Sequence, residues 1–472
     1  MRITPSAGPA SISRAMSLIN PEVFKAYDIR GIHGRDIDAA GAHQIGRAFA
    51  RVIASLSGRP VTQLRLGLGR DMRLTAPEMA AAYGAGMAQE GAQVLDAGMV
   101  GTEMLYYLVG SRELDGGLMC TASHNPKAYT GAKLVRRGAI ALSGDEGIGE
   151  LKELVVQGLD ASTAPGGQVQ PVSIQTEFQE AVAKFIDPAA VRPLKVVVDG
   201  GNGMAGPMVG PLLERLGLDL VPCYWTPNGE FPDHEPNPLL PENREFIMAE
   251  VLRQGADLGI AWDGDADRCF FIDDTGRFVD GDFLTVILAT ALLRTHPGET
   301  VLYDVRASRA VADAVSAAGG VPLMNRVGHA FFKTRMHREG GIFGGEVSGH
   351  YYFRDFYCAD SGTIPALLVL EELSRRGVKL SELLAPIRSR YFISGEINST
   401  VADAPAKLEQ LAAHFADAQQ HRLDGISVDY PDWHFNVRSS NTEPLLRLCL
   451  ESLLSEADME ARRDEVLALI RS

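Results

Sequence analysis

The chain has 472 residues, a formal net charge of −15, 46% hydrophobic residues and 22% charged residues. That balance excludes wholesale disorder, and the acidity excludes a general attraction to nucleic acid or an anionic membrane. At about 150 residues per domain, the length predicts about three domains.

Residues 1–20 hold Arg2 and Arg14, several serines and no acid, and read as an N-terminal extension without an apolar secretion core. Beyond it, one pattern occurs three times. Leu64 to Asp71, Lys195 to Gly201 and Thr300 to Ser308 read as buried strands ending in polar or glycine turns. Each precedes an amphipathic helix (Ala76 to Gln89, Ala205 to Leu216, Arg309 to Ala318) that stops near Gly91, Gly217 or Gly319. A short apolar strand follows each glycine. Three strand–helix–strand units predict α/β layers. The stretch Asp160 to Pro171 reads as a linker, which favours separate domains. From about Tyr391 the pattern changes to strand, helix (Ala404 to His421), two or three strands and a charged helix (Glu456 to Arg471). The expected divisions are 21–165, 166–275 and 276–386 for three α/β domains, and 387–472 for a smaller α+β domain.

The five cysteines are widely spread and contain no C-x-x-C, which argues against a disulfide framework or a zinc site and for a reducing, cytoplasmic setting. The most apolar run, Phe283 to Leu293, is too short to span a bilayer.

Four stretches carry chemistry. DGDADR, at Asp263 to Arg268, is a tight loop between apolar strands. Asp263, Asp265 and Asp267 alternate and point one way, and three converging carboxylates need a cation. All-oxygen ligands suit a hard ion such as Mg²⁺; Arg268 stands where an EF-hand needs glycine. A solvated acidic turn is the alternative. TASHNP, at Thr121 to Pro126, reads as a capped turn or as a serine, Ser123, that carries phosphate in a cradle of backbone N–H groups. A Ser123–His124 hydrolase pair is disfavoured, since the chain has no G-x-S-x-G. RSSNTEP, at Arg438 to Pro444, offers many donors and one fork-shaped cation to a phosphate, or forms a polar hairpin turn. In GGEVSGH, Gly344 to His350, the glycines permit close approach of a ligand, Glu346 and Ser348 alternate towards sugar hydroxyls, and His350 is placed to move a proton. A glycine-rich surface turn is the alternative. A fifth stretch, Gly201-x-Gly203-x-x-Gly206, imitates a dinucleotide fingerprint, but the next strand ends in Cys223 and Tyr224 rather than an acid, so a close-packed βα turn explains it.

Taken with YDIRG (Tyr27 to Gly31) and VGH (Val327 to His329), these stretches resemble the α-D-phosphohexomutases, and most closely the bacterial phosphomannomutase/phosphoglucomutases. Six motifs stand in the family's order and span nearly the whole chain from Tyr27. The resemblance implies three similar α/β domains and a TATA-binding-protein-like fourth domain around one cleft. It implies that Ser123 is the phosphoserine, bound with Asp263, Asp265 and Asp267 to Mg²⁺. Arg30, His124 and Lys133 would surround the transferring phosphoryl group, and Arg268, His329 and His350 would line the sugar side. His350 and Lys133 would be the candidates for proton transfer. Glu346 and Ser348 would grip sugar hydroxyls, and Gly328 and Arg306 would contact substrate. Arg438, Ser440, Asn441, Thr442 and Tyr27 would hold the phosphate that is not reacting. Two departures stand out: Thr130-Gly131 where Asn-Gly is common, and Arg306 where lysine is common, a planar fork in place of a point charge.

The implied activity is reversible transfer of a phosphoryl group between the 1- and 6-positions of mannose or glucose phosphates, with a hexose 1,6-bisphosphate as intermediate and activator. Partners are expected to be hexose phosphates, with no nucleic acid or membrane, in a monomer or small homo-oligomer. Phosphoglucosamine mutase is the competing activity within the family. Outside it stand an aspartyl phosphatase, whose usual Thr or Val is Asp267 here, and a silent sugar-phosphate binder.

Overall fold

The computed structural model describes residues 19–144, 146–160, 166–439 and 445–472. The first unit contains β1 (Asp28–Ile32), α1 (Ala39–Ser57), β2 (Arg65–Arg70), α2 (Ala76–Gln89), β3 (Gln93–Met99) and α3 (Thr102–Ser111), then β4 (Gly116–Cys120), β5 (Tyr129–Arg136), β6 (Ile140–Ala141), α4 (Ile148–Gln157) and β7 (Gln168–Pro171). The second contains α5 (Gln175–Ala183), β8 (Lys195–Asp199), α6 (Ala205–Arg215), β9 (Asp219–Cys223), α7 (Pro241–Gln254), β10 (Leu258–Trp262), β11 (Cys269–Asp273) and β12 (Phe278–Val279). The third contains α8 (Gly281–Thr295), β13 (Thr300–Asp304), α9 (Arg309–Ala317), β14 (Val321–Asn325), α10 (His329–Glu339), β15 (Phe343–Gly345), β16 (Tyr351–Phe353), β17 (Ala359–Asp360), α11 (Thr363–Arg376) and α12 (Leu380–Arg388). The fourth contains β18 (Phe392–Thr400), α13 (Ala404–His414), β19 (Gln419–His421), β20 (Ile426–Asp429), β21 (Trp433–Ser439), β22 (Leu445–Ser452) and α14 (Glu456–Arg471).

Each unit has its own sheet. The first runs β1-β5-β4-β2-β3-β7 with β6 beside β5, the second β12-β11-β10-β8-β9, the third β14-β13-β15-β16-β17 and the fourth β18-β22-β21-β20-β19. The first three are mixed: in each, the strand–helix–strand unit makes a parallel pair (β2–β3, β8–β9, β13–β14), and a later pair of consecutive strands is antiparallel (β4–β5, β10–β11, β15–β16). The fourth is antiparallel throughout. This is the expected architecture of three similar α/β layers plus a smaller α+β domain.

Three expected divisions move. Residues 168–171 do not start the second unit: β7 pairs in parallel with β3, Val94 opposite Val169. Every residue of β7 is exposed, and its proline is tolerated on an edge strand, so it carries no burial pattern to read. Residues 276–279 stay with the second sheet, because β12 pairs with β11. The third unit runs past 386, because α12 continues to Arg388, whose guanidinium donates to Asp273 Oδ2 at 2.5 Å and Phe278 O at 3.0 Å. The helix expected over Ala404 to His421 also stops early, at His414. The Gln420 amide turns back to donate to Phe415 O at 2.7 Å and Ala412 O at 2.9 Å, which satisfies the helix's last carbonyls and frees 419–421 to form an edge strand.

One hydrophobic core threads the first three units, from Leu105 and Val109 on α3 through Val209 on α6 and Ile260 on β10 to Leu288 on α8 and Leu367 on α11. The fourth unit has a separate core built on Phe415, Trp433, Phe435 and Leu467. Polar contacts tie it to the third. Arg309 donates to Tyr430 O at 2.7 Å and Asp429 Oδ1 at 3.1 Å, Arg306 Nη1 to Glu396 Oε2 at 3.0 Å, and Val327 N to Asp424 Oδ2 at 3.0 Å. Among the described residues, no helix is long and apolar enough to cross a membrane.

Candidate active site

The serine loop follows β4 and the aspartate loop links β10 to β11, so both lie at strand ends, where α/β sheets place their sites. Ser123 is buried and stands in the left-handed region at φ 49°. Such a conformation costs about 1–3 kcal/mol and persists only where neighbours fix it. Here they do. Ser123 N donates to Thr121 Oγ1 at 2.8 Å, and Thr121 Oγ1 donates to Asp71 Oδ2 at 2.7 Å. Arg73 donates to the carbonyls of Ser123 (2.8 Å), Asn125 (2.5 Å), Pro126 (2.9 Å) and Tyr129 (3.2 Å). One guanidinium therefore holds the whole turn by its backbone.

Ser123 Oγ donates to Asp263 Oδ2 at 2.8 Å, which joins the first unit to the second. Asp263, Asp265 and Asp267 are fully buried, and one oxygen from each lies within 4.8 Å of the others. Lys133 Nζ reaches Asp265 Oδ2 at 2.7 Å and also donates to Asp267 Oδ2. Arg268 Nε donates to Asp263 Oδ2 at 2.9 Å. The remaining oxygens, Asp265 Oδ1 and Asp267 Oδ1, are buried without a hydrogen-bond partner among the described residues. Two cations face three carboxylates, and two orphaned oxygens point inward. That donor set, with the Ser123 oxygen beside it, fits a hard divalent cation. The electrostatics agree: burial and the neighbouring Asp265 push the Asp267 carboxyl well above the usual range, which a cation would reverse. Although burial disfavours its charge, Lys133 is held above its ordinary value by Asp265 and Asp267.

The turn that imitates a dinucleotide fingerprint supports this loop instead. Met204 N donates to Gly264 O at 2.9 Å, and a Cβ on Gly203 or Gly206 would stand 2.6 Å from Gly264 O or 1.8 Å from Trp225 O. Close packing accounts for those glycines.

Around the serine, Arg30 Nη1 donates to Ala122 O at 2.6 Å and to Asn125 Oδ1, while Arg30 Nε donates to Asp28 Oδ2 at 2.9 Å. His124 Nδ1 stands 3.2 Å from Ser123 Oγ and accepts from Arg268 Nη2, so that nitrogen carries no proton. Burial and the cations Arg268 and Arg30 keep His124 neutral, well below its ordinary pKa. From the third unit, His329 and His350 stack with centroids 6.2 Å apart. Burial lowers the His329 pKa to about 4, and burial, opposed by Asp360, also lowers that of His350. His350 Nδ1 lies 3.1 Å from Ser348 Oγ.

Other expected residues are placed less openly. Glu346 is buried; its oxygens accept from Gly328 N at 2.8 Å and the Tyr352 hydroxyl at 2.5 Å, and burial raises its pKa to about 7. Arg306 is buried against Asp304 (2.7 and 3.1 Å) and Glu396. Arg438 lies 3.6 Å from the same Glu396, with its Nε buried and without a hydrogen-bond partner among the described residues. Tyr27 packs edge-on against His329 at 5.5 Å. Ser440, Asn441 and Thr442 lie outside the described residues. The structure adds residues that the sequence reading missed. Besides Asp71 and Arg73, Thr102 donates from Oγ1 to Asp265. The buried Lys333 pairs with Asp360 Oδ1 at 2.6 Å over the Tyr106 ring, and Asp360 Oδ2 lies 3.9 Å from His350 Nε2.

Known proteins resemble this chain over nearly its whole length. The four domain models described as phosphoglucomutase/phosphomannomutase match in order: alpha/beta/alpha domain I over residues 21–155, domain II over 176–276, domain III over 280–391 and the C-terminal domain over 396–469. A phosphomannomutase of Salmonella montevideo is 42% identical over 462 residues, covering 96% of this chain and 100% of that one. The phosphohexose mutases of Xanthomonas campestris pv. campestris are 42% identical over 450 residues, covering 95% of this chain and 99% of theirs. A solved phosphoglucomutase/phosphomannomutase family protein from Burkholderia thailandensis superposes with a TM-score of 0.87 at 33% identity, over 96% of this chain and 97% of that one. The chain belongs to the phosphoglucomutase/phosphomannomutase family. Its activity is that of a hexose phosphate mutase.

Proposed function

We propose that the protein interconverts the 1- and 6-phosphates of mannose and glucose through phosphorylated Ser123 and a hexose 1,6-bisphosphate. One observation carries this reading: Ser123 Oγ sits 2.8 Å from Asp263 Oδ2, inside a buried cluster of three aspartates, Lys133 and Arg268. Phosphoryl transfer needs positioning and charge neutralisation more than covalent help. Asp263, Asp265 and Asp267 would hold Mg²⁺, which supplies positive charge beside the phosphoryl oxygens when bound. Arg30 and Arg268 neutralise the same group from two domains, and Arg73 keeps the loop carbonyls turned away from it.

In the forward step the Ser123 O–P bond breaks and a sugar hydroxyl oxygen takes the phosphoryl group. His350, held neutral, accepts the hydroxyl proton, to give it back to the sugar oxygen freed in the return step. The Ser123 oxygen leaves as an alkoxide that Lys133 and Arg268 neutralise until it takes the returning phosphoryl group. The bisphosphate turns over in the cleft and returns its other phosphate to Ser123. Lys133 is a poor base while Asp265 and Asp267 hold its proton, so its role is charge neutralisation. Glu346 and Ser348 would bind sugar hydroxyls; each Glu346 oxygen accepts one hydrogen bond, from Gly328 N or Tyr352, and has a second lone pair for a sugar hydroxyl. Gly328, His329, Tyr27, Arg306, Arg438, Ser440, Asn441 and Thr442 would complete the sugar and distal-phosphate contacts.

The test is Ser123→Ala supplied with Mg²⁺ and hexose 1,6-bisphosphate. Turnover should fall by at least about 10³-fold; wild-type turnover would remove Ser123 as donor. Side by side, mannose 1-phosphate and glucose 1-phosphate should both be converted and glucosamine 1-phosphate poorly.

A further inference from the structure

A cavity of about 500 Å³ opens where three units meet, behind the wall of the cleft. β14, α10 and the turn between them supply Asn325, Arg335 and Arg326 from the third unit, the first unit supplies Ser143, and the fourth supplies Leu423. The cavity lies at the C-terminal end of a parallel strand, where α/β folds bind ligands. Phe331 divides it from the cleft: its ring packs edge-on against Tyr27 at 5.6 Å, while the Arg326 guanidinium lies 4.3 Å from its centroid.

The lining is rich in unspent donors. Asn325 is 4% exposed; its carbonyl oxygen accepts from Arg335 Nη1 at 3.2 Å, but its Nδ2 has no hydrogen-bond partner among the described residues. Arg335 Nε is likewise buried without a hydrogen bond, with Glu339 3.8 Å away. Arg326 makes no ion pair among the described residues, and Arg338 adds a third guanidinium at the rim, paired at 2.8 Å to Glu339. Among the described residues, the one acid lining the cavity, Glu146, is held by Arg136 at 2.9 Å. Three arginines thus line a space larger than an inorganic anion needs, with the unpaired Asn325 Nδ2 and Arg335 Nε buried in its wall. Buried donors are expensive to leave unpaired, and forked guanidinium groups match oxyanions.

We propose that this cavity is a second anion-binding site, separate from the site of phosphoryl transfer, and that it takes the phosphoryl oxygens of a small phosphorylated molecule. A ligand there touches β14 and α10, the loop at Ser143 and the loop at Leu423 together. It would therefore hold the fourth unit against the first and third. The assignment stands whatever sugar the cleft prefers.

Calorimetric titration of the full chain with pyrophosphate in metal-free buffer tests this. A class of binding should survive Arg438→Gln, weaken at least about tenfold in Arg326→Gln/Arg335→Gln, and weaken measurably in Arg338→Glu, an exposed position whose change spares the fold. In Arg438→Gln, saturating pyrophosphate should slow hydrogen exchange over residues 422–426. If Arg438→Gln abolishes all binding, or if Arg338→Glu and the double variant bind as wild type does, the cavity holds only water and the proposal fails. Binding without added protection at 422–426 would overturn the bridging role.

Discussion

At the scale of single residues, the site separates groups that sequence spacing announces from groups that only folding reveals. Asp263, Asp265 and Asp267 are legible because alternation in a strand-end loop makes three carboxylates converge. Arg73 is not, since the carbonyls it holds lie 50 or more residues away and carbonyls leave no mark in a sequence. Lys333 and Asp360 are equally silent: each looks like an ordinary charge until α10 and β17 bury both. His350 gives a prediction here. Its pKa lies well below the ordinary imidazole value, through burial and the cations Arg268 and Lys133, so it is neutral and able to accept a proton near neutral pH. His350→Ala should lower kcat by about 10²-fold while KM changes little, as steady-state kinetics would show. A variant with wild-type kcat would remove His350 from proton transfer.

Among elements, the three strand–helix–strand units were visible because buried strands and glycine-stopped helices write themselves in periodicity. β7 was not, because an edge strand exposed on both faces has no apolar alternation. Nor was the end of α13, which a side chain five residues beyond Phe415 caps. Contacts between elements make two predictions. A Cβ on Gly264 would stand 2.6 Å from Ser123 O, so Gly264→Ala must separate the aspartate loop from the serine loop. A shift of about 1 Å costs about 10²-fold in rate, so kcat should drop by that order while the far-ultraviolet spectrum is unchanged. The second concerns Glu103 on α3, fully buried and accepting from Ser361 Oγ and Thr363 Oγ1 between β17 and α11. Burial raises its pKa to about 8 from an ordinary 4.5. The folded state therefore binds that proton more tightly than the unfolded one. The stability this contributes is complete below pH 4.5 and is lost as pH rises through 8. Between pH 6 and pH 9 the Tm of wild type should fall further than that of Glu103→Gln; equal falls would assign the alkaline loss to other groups.

For the whole molecule, three units share one core and the fourth keeps its own, joined to the rest by polar contacts and by Ile393 and Leu453 packed on the shared core, which is the construction of a lid. The length suggested about three domains; the fourth became visible only through its change of pattern after Tyr391. Arg309 is the main fastening, with donors to Asp429, Tyr430 and Pro431. Arg309→Ala should raise KM for a hexose phosphate several-fold, about 3- to 10-fold, with a smaller effect on kcat, since closure and not chemistry is weakened. The net charge of −15 also takes on a spatial meaning. Part of the acidity is buried in the aspartate loop against Lys133 and Arg268, while arginines from separate units converge on places where an anion would sit. The claim on which everything rests is that Ser123 carries the phosphoryl group. The most direct measurement is peptide mapping by mass spectrometry after the wild-type protein is incubated with hexose 1,6-bisphosphate and Mg²⁺, and again after excess hexose 6-phosphate is added. A single phosphoryl group should appear on Ser123 and then leave it with formation of hexose 1,6-bisphosphate; a phosphoryl group on Asp263, or on no residue while turnover proceeds, would contradict the account.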